Sequence, residues 1–145
     1  MTYVKAFLAG FFSTLLLHQG LLALFHAAGA TGRTAYSMSP TQPFGIPEVL
    51  SAAFWGGVWG IVLWLAIRPF ERSAAYWLLA IVLGAIAPTL VAVFVVFPLK
   101  GEPVVGGWRS EIVIGGLLLN SVWGLGVATA MRLWRQASPA MRVVG

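Results

Sequence analysis

Apolar and charged positions divide this chain into blocks. Residues 6–32, 49–67, 73–99 and 112–131 contain no Asp, Glu, Lys or Arg. At 1.5 Å rise per residue, about 20 apolar residues span the roughly 30 Å hydrocarbon core of a bilayer, so each block is long enough to cross. The pattern predicts four membrane-spanning helices at about 4–28, 47–67, 74–97 and 110–134. Residues 1–145 form too short a chain for two such domains, so one four-helix transmembrane domain is expected.

The segments between the blocks read as connections. Arg33 to Pro47 is polar, carries Pro40, Pro43 and Pro47, and shows no apolar periodicity. Pro47 suits the first position of the second helix, where its missing N–H is not required. The turn from Pro69 to Ser73 is very short, which predicts that the second and third helices are antiparallel neighbours. Pro88 should kink the third helix and free the carbonyl of Gly84. Leu99 to Trp108 forms the second loop, and the tail from Gln136 is expected to fray. The small residues Ala28 and Ala30 loosely resemble a signal-peptidase site, but the apolar run before them exceeds a 7–15-residue signal core, favouring an uncleaved helix.

Composition agrees with the blocks and removes several function classes. Charged residues are 9% of the chain, against about 25% in soluble domains, and 59% is apolar with seven Trp and nine Phe. There is no cysteine, hence no disulfide, thiolate metal site or Cys nucleophile. The only carboxylate side chains are Glu48, Glu71, Glu102 and Glu111, and the only histidines His18 and His26. A catalytic zinc takes three protein ligands, so this inventory argues against a metalloenzyme, and no metal site or enzymatic activity is expected. The net charge of +5 does not indicate nucleic acid, because the basic residues stand singly at helix ends.

Those basic residues report topology. Lys5, Arg68, Arg72, Arg132, Arg135 and Arg142 fall on one side, and Arg33, Lys100 and Arg109 on the other. The asymmetry predicts both termini in the cytoplasm. Tyr3, Trp64, Tyr76, Trp77 and Trp134 would form the inner aromatic belt, with Tyr36 and Trp108 in the outer one. Val58-Trp59-Gly60 with Arg68 recurs as Val122-Trp123-Gly124 with Arg132, at a constant offset of 64. If the recurrence is a duplication rather than chance, the fold is two antiparallel hairpins forming a tandem parallel repeat.

Candidate chemistry lies within the spans. His18, with Gln19 beside it and Thr14 one turn earlier, sits near the middle of the first block, where an ionisable residue is a functional candidate by default. It could relay a proton, ligate haem or bind a substrate. A neutral imidazole bonded to a carbonyl or to Asn120 is the structural alternative. His26 lies too far along the helix to share a metal with His18, and haem would need partner histidines from another chain.

Asn120 falls on the stripe Gly116, Asn120, Gly124, Ala128, and the second block carries Ala52, Gly56, Gly60. Such stripes let helices approach closely, with Asn bridging them, so the second and fourth helices are expected to pack together or on copies of themselves. Glu48 and Glu111 open their helices, where the macrodipole favours a carboxylate; a paired cation site at an outer mouth is the functional alternative. Trp55, Trp59 and Trp123 lie deep in their helices and could fill helix contacts, face a flat cofactor or meet another subunit.

In general build the chain resembles small bacterial inner-membrane proteins. That likeness implies a multi-pass location in the bacterial cytoplasmic membrane and no function. The leading expectation is a non-catalytic accessory subunit of a larger membrane complex, with the bilayer and other subunits or copies of itself as partners. The alternative is a small oligomeric transporter or channel lined by Thr14, His18, Gln19, Thr89 and Asn120. Weaker still is a redox protein: no cofactor is expected, though haem, quinone or carotenoid remains open.

Overall fold

A computed structural model describes residues 1–137. Four helices dominate: α1 (Thr2–Ala27), α2 (Glu48–Phe70, its last turn a 3-10 turn), α3 (Ala75–Leu99) and α4 (Ser110–Ala137). All four are long and apolar enough to cross a membrane. The boundaries lie close to those read from the sequence. Pro47 sits one residue outside α2, as its cap, and α4 continues past Gln136, where fraying was expected. Arg142 lies outside the described residues.

The bundle has two ends. One carries the chain start, the turn between α2 and α3, and the end of α4; we call it the turn end. The other, the loop end, carries residues 28–47 and 100–109. The longer loop is not featureless. Strands β1 (Pro40–Thr41) and β2 (Ile46–Pro47) pair antiparallel, with Thr41 opposite Ile46. Both strands lean on the start of α2.

The most extensive helix contacts are within sequential hairpins, α1 on α2 and α3 on α4, and α1 also packs on α4. The short turn makes α2 and α3 consecutive, yet their contact is sparse, and so is that of α2 with α4. The small-residue stripes of the second and fourth helices therefore do not meet each other. Gly56 and Gly60 lie against α1, where a Cβ on Gly10 would overlap the Gly56 carbonyl and stand 2.9 Å from the Gly60 Cα. Gly124 lies against α3, and a Cβ on Gly84 would stand 2.9 Å from its Cα. Each second helix finds its small-residue partner in the helix before it, at Ala6 and Gly10 for α2 and at Ala80 and Gly84 for α4.

The two hairpins are built alike at these contacts. Gly60 packs on the Ala6 carbonyl and on Gly10, and Gly124 packs on the Ala80 carbonyl and on Gly84. The second-helix positions differ by 64 residues and the first-helix positions by 74. The difference of ten matches the lengths of the two loops, 28–47 and 100–109.

Both first helices also contain one π turn, Thr14–His18 in α1 and Ala92–Val96 in α3. Pro88 does not interrupt α3, whose regular portion runs from Ala75 to Val91. The irregularity falls a turn later, in the π turn.

The core lies toward the turn end, around Ala6, Leu63, Ile67, Tyr76, Ala80, Trp123, Val127 and Met131. Trp64 and Tyr76, read from the sequence as belt residues, are buried in it, and the Tyr76 hydroxyl donates 2.8 Å to the Ala128 carbonyl. A phenol buried among apolar helices requires such an acceptor, and this one closes α3 on α4. Tyr3 and Trp108 are exposed near opposite ends, as belt residues would be.

Candidate functional site

His18 ends the π turn of α1. A π turn inserts one residue into the helix, so the Gln19 N–H reaches back five residues to the Thr14 carbonyl. Side chains after the insertion are turned about the axis relative to a regular helix. Here the turn aims Gln19 at the long loop, where its Oε1 accepts the Tyr36 N–H at 2.8 Å. The Tyr36 hydroxyl in turn donates 2.9 Å to the Leu15 carbonyl. Tyr36 holds a positive φ of 55°, a conformation uncommon for a non-glycine residue, and the two bonds hold it there. Tyr36 thus clamps the loop onto α1.

Beside this clamp, the Nδ1 of His18 is buried with no hydrogen-bond partner among the described residues. Neither of the two partners weighed for it, a carbonyl or Asn120, reaches that nitrogen. His26, exposed near the end of α1, has its Nδ1 3.3 Å from the Thr31 carbonyl.

The other spanning polar groups are paired inside the fold. Thr14 Oγ1 donates 2.9 Å to the Gly10 carbonyl. Asn120 Nδ2 donates 2.9 Å to Thr89 Oγ1, joining α4 to α3. Trp123 Nε1 donates 3.0 Å to the Gly10 carbonyl, crossing from α4 to α1. Thr89 and Asn120 are therefore brought together, while His18 and Gln19 stand with the loop. Gly116 lies against the Thr89 side chain, which seats that pair.

At the loop end, Glu48 and Glu111 each have their own arginine. Arg33 lies 3.6 Å from Glu48, and Arg109 Nε donates to Glu111 at 2.8 Å. No bond joins the two carboxylates, and among the described residues no group of three His, Cys, Asp or Glu could hold a metal ion. Arg33 also stands 5.9 Å above the Phe97 ring of α3, which ties the long loop to the second hairpin.

The three deep tryptophans have three different settings. Trp123 is buried. Trp59 is half-buried in the wall of a 160 Å³ cavity that also includes Gly84, Pro88 and Trp123. Trp55 is 58% exposed on the outer face of α2. It ends a row of rings running across the first hairpin: Phe12, Phe11, Phe7, Phe54, Trp55, with neighbouring centroids 5.5–6.2 Å apart. The sequence shows these residues but not their alignment, since α1 and α2 contribute rings from opposite ends of a hairpin.

Compared with protein-family models, curated proteins and solved structures, the chain matches none of them.

Proposed function

We propose that the protein is a non-catalytic subunit of a membrane complex, docked on a partner's transmembrane segment through the aromatic face of α1 and α2. Trp55 carries this reading. It lies seven residues into α2, about 10 Å from the helix start, with its indole N–H unpartnered among the described residues. Tryptophan in lipid favours the interface, where the N–H finds water or a headgroup. Exposed at this depth, a bare N–H costs free energy that a partner's carbonyl or hydroxyl would recover. Phe54 and Phe12, each about half exposed, extend the same surface.

The remaining spanning polar groups support a structural reading too, because Thr14, Gln19, Thr89 and Asn120 use their hydrogen bonds within the fold. We place the chain in the bacterial cytoplasmic membrane with the turn end inside, since Lys5, Arg68, Arg72, Arg132 and Arg135 lie there against Arg33, Lys100 and Arg109 at the loop end. The equivalent Ala-xxx-Gly contacts support reading the two hairpins as a tandem repeat.

The test is purification of the tagged chain from its native membranes in mild detergent. Other membrane proteins should co-purify in stoichiometric amounts, and F54L/W55L should release them while the melting temperature stays within a few degrees. Recovery of the chain alone, at full yield, would remove the proposal.

A second reading rests on His18. Its buried nitrogen at a π turn, unpartnered among the described residues, favours a small oligomeric transporter or channel with His18 in its pathway. On that reading, His18→Ala abolishes proton flux into proteoliposomes loaded with a pH-sensitive dye. Wild-type flux in the variant would take His18 out of the pathway.

A further inference from the structure

A second concave site lies at the turn end, far from His18. A cavity of 440 Å³ opens where the α2–α3 turn meets the last turns of α4, lined by Glu71, Arg72, Tyr76, Arg132, Arg135 and Gln136. Three arginines face one carboxylate there. That carboxylate, Glu71, is already ion-paired with Arg135. Arg132 has no ion pair among the described residues and lies 5.3 Å above the Trp77 ring, an arrangement that fixes the plane of its guanidinium. Arg72, exposed in the turn, likewise has no carboxylate partner among the described residues. The Tyr76 hydroxyl donates its proton to the Ala128 carbonyl, so the donors at the cavity are those of the arginines and Gln136. The cavity therefore carries two positive charges that the described residues leave unmatched.

From this arrangement we infer that the cavity binds the phosphodiester of an anionic phospholipid. A guanidinium presents paired donors that match two phosphate oxygens, and Arg72 and Arg132 bring two such groups to one opening. The depth fits a lipid. The cavity starts where the charge-free stretches 73–99 and 112–131 end, which is headgroup level for helices of this length. On the exposed face of α3, within three turns of this level, Leu78, Ile81 and Val82 form an apolar track that acyl chains can follow. Basic pockets between helix ends hold lipid headgroups by this combination of charge and adjoining apolar surface. A free phosphate would use the arginines but not the track.

The experiment is native mass spectrometry of the purified full chain, titrated with phosphatidylglycerol or phosphatidylcholine bearing the same acyl chains. The wild type should take up one phosphatidylglycerol at least about tenfold more readily than phosphatidylcholine. Arg72 is exposed in the turn, so R72Q is the milder variant, with an expected loss of about fivefold in phosphatidylglycerol affinity. R72Q/R132Q should lose about twenty-five-fold, and R33Q/R109Q, altered at the opposite end, should retain the wild-type preference. Equal uptake of the two lipids overturns the inference, as does a preference that survives R72Q/R132Q. Displacement of the bound lipid by millimolar inorganic phosphate would also overturn it, by making the cavity a free-phosphate site.

Discussion

Gly124→Val should prevent the second hairpin from closing, with a loss of at least about 3 kcal/mol, the upper part of the range for overpacked contacts. A Cβ at this position overlaps the Ala80 carbonyl and stands 3.1 Å from the Gly84 Cα. Both obstacles are backbone, so no rotamer change relieves them, and α3 and α4 would have to separate along their length. Gly10→Val should do the same to the first hairpin, since it meets the Gly56 carbonyl and the Gly60 Cα. In lipid, where apolar burial provides no drive between helices, close backbone packing is a main source of cohesion, and losing it removes much of what holds a hairpin together. Gly20→Ala and Gly115→Ala are the controls. Nothing lies within 4 Å of a Cβ at either site, so these should be neutral or stabilise by up to about 1 kcal/mol through helix propensity. Thermal unfolding in detergent, followed by circular dichroism, separates the two classes. A Gly124→Val protein that melts with the wild type would mean that α3 and α4 do not approach as described.

These glycines also mark where the sequence was readable and where it was not. The spans are legible because hydrocarbon thickness imposes a length and excludes charge, and the structure's helices lie close to the charge-free blocks. Choice of partner is not legible in the same way. All four helices carry small residues at i, i+4 spacing: Ala6/Gly10, Gly56/Gly60, Ala80/Gly84 and Gly124/Ala128. Nothing local states which faces meet. The paired glycines of the second helix and the Asn of the fourth drew attention to each other, while Ala6/Gly10 and Ala80/Gly84 held the information that decides the packing. A search for repeats at one offset finds only half of the correspondence, because the unequal loops shift the first helices to a different register from the second.

The candidate site was legible only in part. His18 stood out by chemistry alone. Its π turn has no sequence marker, since a single inserted residue leaves the apolar pattern of α1 almost unchanged. The clamp role of Tyr36 was hidden because it depends on Gln19, seventeen positions earlier, and on a positive φ that no neighbouring glycine or asparagine announces. Glu48 and Glu111 could be read as a pair until the structure gave each its own arginine.

Trp123 should prove the most costly side chain to shorten. It is 2% exposed, fills the centre of the core between α1, α3 and α4, and donates its indole N–H to the Gly10 carbonyl at 3.0 Å. Trp123→Ala removes the ring and the bond together and should cost about 3–5 kcal/mol, as buried tryptophan truncations do. Trp123→Phe keeps most of the ring volume and removes the donor, so about 1 kcal/mol is expected. That figure stays small because the Gly10 carbonyl keeps its bond from Thr14 Oγ1 and is not left bare. Trp59, the residue at the matching position of the first hairpin, provides the contrast. It faces the Gly84 and Pro88 cavity half-buried, without a hydrogen bond among the described residues, so Trp59→Phe should change stability by less than about 0.5 kcal/mol. Equilibrium unfolding of the four proteins, wild type and three variants, in mixed micelles checks the series. The decisive comparison is Trp123→Phe against Trp59→Phe, because both exchanges keep a large ring while only the first removes a hydrogen bond, the one to Gly10. Equal losses for both would dissolve that bond as a tie between the hairpins and leave the α1–α4 contact to packing alone.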